Sequence, residues 1–182
     1  RECIINNWPE ESALAAKPEI LYDALLASEF CVQPERVGYK IDKVSRDIAG
    51  AYYTSSDFSA QITYRALESY MDRKRRRAID SDSFACCNEY ENITFLDYSC
   101  GCGEFLLAVI QYFDNHVLGY SRKKLATQLR GVDVNPIALM ITIARIVSAV
   151  EAEDDENLLR EVAKNFIVGN PLLHSDKIAP LE

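Results

Sequence analysis

Ile93-Thr94-Phe95-Leu96-Asp97-Tyr98-Ser99-Cys100-Gly101-Cys102-Gly103-Glu104 reads as a short buried strand that ends in an acid and runs into a glycine turn. Phe105 to Phe113 follow and are apolar nearly all round, the pattern of a helix packed on a sheet. Leu129-Arg130-Gly131-Val132-Asp133 repeats the scheme of a short strand closing on an acid. Asn135 is placed to cap the next helix, Pro136 to take its first position, and Ile137–Val150 is strongly apolar. Leu158–Ala163 suggests a short helix, and Asn165-Phe166-Ile167-Val168-Gly169 a third strand before Asn170-Pro171-Leu172-Leu173. Strand, helix, strand, helix, strand at these spacings predicts an α/β fold with a parallel sheet and right-handed crossovers. Ligands of such sheets bind at the carboxyl ends of the strands. The glycine turn after Asp97, then Asp133 and Asn170, therefore converge on one crevice.

Upstream, Gly50-Ala51-Tyr52-Tyr53-Thr54-Ser55-Ser56-Asp57 is a turn rich in capping residues. It leads into a helix whose apolar stripe is expected to be Phe58, Ile62, Ala66 and Leu67, ending near Met71. Residues 72–92, with the basic run Arg73–Arg77 and the polar Asp80–Ser83, read as a helix end passing into a surface loop. A solvated helix end in an acidic protein outweighs a phosphate contact as the reading of that run. Pro18, Ile20, Leu21, Ala24, Leu25 and Ser28 have helical spacing, and residues 29–48 read as a loop with a short helix. The expected division is an N-terminal helical segment, 1–48, and an α/β domain, 49–182. The acidic stretch Glu151–Glu156 reads as a solvated turn.

The 182 residues suffice for a real core, and 48% hydrophobic content argues against disorder. Twenty Lys+Arg against twenty-eight Asp+Glu leave a net charge of −8, a poor basis for holding nucleic acid by bulk charge. No apolar run approaches the roughly 18 residues of a membrane span, and no signal-peptide pattern is present, so a cytoplasmic protein without membrane attachment is expected. The six cysteines lack the spacing of a zinc site, and free thiols in a reducing compartment are the simplest reading; no metal is expected. The chain begins at Arg1 and not at Met, which suggests a piece of something longer.

Gly101-x-Gly103 lets backbone approach a ligand closely. The third glycine of a dinucleotide fingerprint is replaced by Leu106, which weakens a pyrophosphate reading. An acid ending the second strand suits the two hydroxyls of a ribose, and an acid ending the first suits a ligand amine. An amino-acid end plus a ribose, without phosphates, describes S-adenosylmethionine better than NAD.

These residues also carry a family resemblance. Phe95–Leu106 resembles the first motif of N6-adenine DNA methyltransferases of restriction–modification systems. Gly50-Ala51-Tyr52-Tyr53-Thr54 resembles their upstream G-x-Y-Y-T-P motif, Gly131–Leu139 the second-strand motif and Ile167–Leu173 the third. The four stand in the order of the gamma type, and the resemblance spans roughly residues 18–182. The resemblance implies a partial class I S-adenosylmethionine-dependent methyltransferase fold, Rossmann-like, with an N-terminal helical segment. It implies that Thr54, with Tyr53 beside it, meets the methionine carboxylate. Asp97 and the backbone around Ser99, Gly101 and Gly103 would hold the amino-acid end. Asp133 would take the ribose hydroxyls, Val134 would lie against the adenine ring, and Asn170 would bond its edge. Three positions depart from the family pattern: Tyr98 for proline, Cys102 for Ser or Thr, and Ser55 for proline.

The family's catalytic motif, [N/D/S]-P-P-[Y/F/W], follows the fourth strand. Asn170-Pro171-Leu172-Leu173 ends the third strand and has no aromatic residue, so the catalytic residues are expected beyond Glu182. The resemblance implies DNA as a partner through other parts of the full-length protein, and a restriction or specificity subunit. The first strand would lack its usual neighbour, so self-association at that edge, or cover from the N-terminal helices, is expected. Two alternatives stand beside the enzyme: a degenerate cofactor-binding or assembly module without catalysis, and a methyltransferase acting on protein or a small molecule.

Overall fold

In the computed structural model the described residues are 28–33, 36–41, 54–80 and 93–172. The chain divides into two compact units, Arg1–Tyr53 and Thr54–Glu182. In the first, β1 (Ser28–Gln33) and β2 (Arg36–Ile41) form an antiparallel pair with Phe30 opposite Tyr39 and Val32 opposite Val37. This corrects the expected loop with a short helix over 29–48. Phe30, Val32, Val37, Tyr39 and Ile41 alternate with polar or small residues, the period-2 pattern of a strand in β-branched and aromatic residues. Glu29, Arg36 and Lys40 dilute that pattern in the bare sequence. The helix expected from Pro18 lies outside the described residues, apart from Ser28, which opens β1.

The second unit is an α/β assembly on a three-stranded parallel sheet, compatible with a Rossmann-like fragment. Its elements are α1 (Ser56–Asp80), β3 (Phe95–Asp97), α2 (Glu104–His116), α3 (Arg122–Gln128), β4 (Leu129–Asp133), α4 (Pro136–Ala149), α5 (Glu156–Ala163) and β5 (Phe166–Val168). The sheet order is β3-β4-β5, with Asp97 level with Gly131 and Asp133 level with Val168. Among the described residues, β3 has β4 on one side and no strand on the other.

Local chemistry explains where the helices start. Ser121, Asn135 and Asp155 each accept a backbone N–H of the helix they precede, and Pro136 occupies the first turn of α4. α2 buries Leu106, Val109, Ile110 and Phe113, a stripe at helical spacing, and each such side chain contributes about 1.5–3 kcal/mol of apolar burial. Phe113 stacks edge-on with Phe95 of β3 and with Tyr120. Leu129, Val132, Ile146 and Val162 close the core from β4, α4 and α5.

Two expectations for α1 are corrected. The helix does not end near Met71 but continues through the basic run to Asp80. The buried stripe is Ser59, Thr63, Leu67 and Met71, whereas Phe58 and Ile62 are 57% and 43% exposed. Against α2, Tyr64 packs edge-on with Tyr112 and takes a hydrogen bond from Asn115. Ser59 stays satisfied by donating to the Ser56 carbonyl. Among the described residues no helix is long and apolar enough to cross a membrane.

Candidate functional site

The three polar residues that end the strands share one local device. In each, Oδ1 accepts the backbone N–H two residues on: Asp97 from Ser99 at 3.0 Å, Asp133 from Asn135 at 2.8 Å and Asn170 from Leu172 at 3.0 Å. Short side chains with this reach fold the chain out of a strand into a turn. They differ in the remaining atoms. Asp133 Oδ2 reaches across to the Gly101 amide at 2.8 Å. Asp97 Oδ2 is buried and has no hydrogen-bond partner.

The glycine turn is shaped from two sides. Gly101 and Gly103 both adopt positive φ, +50° and +88°, a conformation that L side chains resist. A Cβ on Gly103 would come within 2.7 Å of Thr142 Cγ2, whereas one on Gly101 would meet nothing within 4 Å. From β4, the Val132 carbonyl accepts the Cys100 amide at 3.0 Å. From α4, the Thr142 hydroxyl donates to the Gly101 carbonyl at 2.7 Å, and Arg145 donates to the Cys102 carbonyl at 2.6 Å. Arg145 also pairs at 2.6 Å with Glu104, a buried carboxylate in the first turn of α2. Glu104 stands where the helix dipole favours negative charge.

The electrostatics are those of two converging carboxylates. Burial, opposed by the Ser99 amide and reinforced by the Asp133 charge, holds the Asp97 carboxyl above its ordinary value. Burial, with the charges of Asp97 and Asp133, pushes the Cys100 thiol far above the usual thiol range, and Cys100 packs in the core. Among the described residues no group of three or more His, Cys, Asp or Glu could hold a metal ion.

The fold thus brings Asp97, Ser99, Gly101, Gly103, Asp133 and Asn170 to one end of the sheet; the Asp133 carbonyl accepts the Gly169 amide at 2.9 Å, directly before Asn170. The amides of Ser99, Gly101 and Gly103 donate within the protein, to Asp97, to Asp133 and to the Cys100 carbonyl. Val134 is 61% exposed beside Asp133. Thr54 is half-buried two residues before Ser56; Ser56 lines a cavity of about 260 Å³ with Ser59, Glu104, Gln111, Asp114 and Arg145. Asp97, Asp133 and Asn170 do not line that cavity. Tyr53 lies outside the described residues.

Sequence reasoning did not single out Glu104, Thr142 or Arg145. The available signal was a Thr and an Arg three apart inside the apolar run 137–150, which share one face of a helix. Comparisons with protein families, with curated proteins and with solved structures give no match to this chain.

Proposed function

We propose that this chain is the cofactor-binding part of an S-adenosylmethionine-dependent methyltransferase that acts on N6 of adenine in DNA, in a restriction–modification system. The observation that carries the reading is the buried, unpartnered Oδ2 of Asp97 beside a second carboxylate at the carboxyl ends of parallel strands. A buried polar atom without a partner costs about 1–3 kcal/mol, and a ligand ammonium group removes that cost.

The donor set fits the cofactor. Asp97 offers its free oxygen to the amino-acid end. A carboxylate has about four acceptor positions. Asp133 uses one on Gly101 and one on Asn135, which leaves capacity for ribose hydroxyls. The open space at Gly101 admits a ligand against the backbone. Val134 presents apolar surface to an adenine ring, and Asn170 is the polar group nearest in sequence to the last strand end. Thr54, with Tyr53 before it, is assigned to the carboxylate by resemblance alone. Bound there, the cofactor supplies a methyl group on a sulfonium centre for direct displacement. The sequence contains no Pro-Pro pair, so no catalytic residue is assigned among these 182 residues.

Isothermal titration of S-adenosylmethionine into the chain tests the reading. Heat is expected from the wild type and is lost in Asp133→Ala; no heat, or undiminished heat in the variant, overturns the cofactor assignment. N6-methyladenine formation by the full-length protein on DNA then separates an enzyme from a binding module. The module reading is favoured by one observation, that the turn amides of Ser99, Gly101 and Gly103 are already engaged internally.

A further inference from the structure

Thr142 is fully buried within a helix whose other buried residues are apolar, and Arg145 lies one turn further along the same face. A hydroxyl in such a place is retained at a cost unless it is hydrogen-bonded. Its bond goes to the Gly101 carbonyl, 41 positions away in sequence. Arg145 Nη1 joins the Cys102 carbonyl to the Glu104 carboxylate, so one side chain of α4 grips both the turn and the start of α2. Gly103 brings backbone against Thr142 so closely that no Cβ fits between them. Two successive carbonyls of the glycine turn are thus held on the α4 side, while the Gly101 amide is held by Asp133.

We infer that Thr142 and Arg145 are positioning residues of the cofactor site, clamping the Gly101–Cys102 segment so that the turn keeps the shape that receives the amino-acid end of the ligand. The inference rests on the cofactor reading above. It separates two parts of the ligand. Releasing the clamp frees the turn beside Asp97, whereas Asp133 keeps its second tether to the Asn135 amide and so its orientation toward a ribose.

Thr142→Val keeps the shape and removes the hydroxyl; Thr142→Ser keeps the hydroxyl. Binding of S-adenosylmethionine and of methylthioadenosine, which lacks the amino-acid end, is measured by titration well below each variant's melting temperature. Thr142→Val is expected to weaken S-adenosylmethionine about tenfold, the effect of losing one hydrogen bond, and methylthioadenosine by less than about twofold. Thr142→Ser is expected to restore both. A purely structural role predicts a lower melting temperature with the two affinities changed alike. Equal weakening of the two ligands, or S-adenosylmethionine binding as tight as in the wild type, overturns the inference. If Thr142→Val does not fold, Arg145→Gln, which removes the charged donor shared by the Cys102 carbonyl and Glu104, is read by the same criterion. Absence of binding by the wild type instead removes the cofactor reading and this inference together.

Discussion

Asp97 meets two opposed demands. One oxygen builds the turn out of β3 by accepting the Ser99 amide; the other is buried with no partner. Its folded-state pKa lies above the ordinary value of 3.8, so between the two values the folded chain binds this proton more strongly than the unfolded chain does. The contribution of that proton to stability is fully present below pH 3.8 and is lost as pH rises through the raised value. Asp97→Asn removes this dependence, and urea midpoints measured across that window are expected to fall less steeply with rising pH in the variant than in the wild type. Identical slopes would show that Asp97 titrates normally. The same linkage fixes the sign for the proposed binding: a cationic amino-acid end would lower the pKa of Asp97, so affinity for S-adenosylmethionine is expected to rise with pH through the window and to be lost in Asp97→Asn. Asp97 and Asp133 were legible as the acids that close β3 and β4, because strand-end acids are local signals. Thr142, Arg145 and Glu104 were not, since their meaning depends on the turn carbonyls and on each other.

β4 shows what a central strand requires of its sequence. Gly131 is level with Asp97 on one side and Phe166 on the other. A Cβ there would meet the Phe166 ring at 2.6 Å and Cys100 Sγ at 2.7 Å. Gly131→Ala is therefore expected to destabilise the unit by about 1–3 kcal/mol, read as a lower urea midpoint. An unchanged midpoint would mean that Phe166 moves aside freely. The cost arises from close approach, because Gly131 does not take a positive φ. α1 gives the contrary lesson. Its hydrophobicity points to Phe58 and Ile62 as the inner face, yet the small residues Ser59 and Thr63 are the buried ones. Its extension through Arg73–Arg77 follows from strong helix formers in the run, with Arg75 paired to Asp72 and Arg73 bonded to the Ser69 carbonyl.

On the scale of the molecule, the −8 charge and the carboxylates at the strand ends act in the same direction, toward a cationic ligand. A ligand that binds only the folded unit stabilises it by mass action, about 2.7 kcal/mol at a free concentration one hundred times its Kd. S-adenosylmethionine is therefore expected to raise the unfolding transition of residues 54–182, followed by near-ultraviolet circular dichroism through its aromatic core, and to leave that of Asp133→Ala unmoved. A wild-type transition independent of ligand concentration would remove the linkage.

The sequence alone determined the parallel strand–helix alternation, the helix starts at Asn135 and Pro136, and the acids that close β3 and β4. These rest on contacts between residues two to four positions apart, which a linear reading contains. Tertiary structure decided the pairing of β1 with β2, the buried face of α1 and the clamp on the glycine turn. The last two depend on which distant segment comes to lie alongside, as Thr142 does beside Gly101, whereas β1 and β2 are neighbours in sequence whose pattern their charged residues dilute. Chain patterning states what a residue can do; only packing supplies the partner to which it is done.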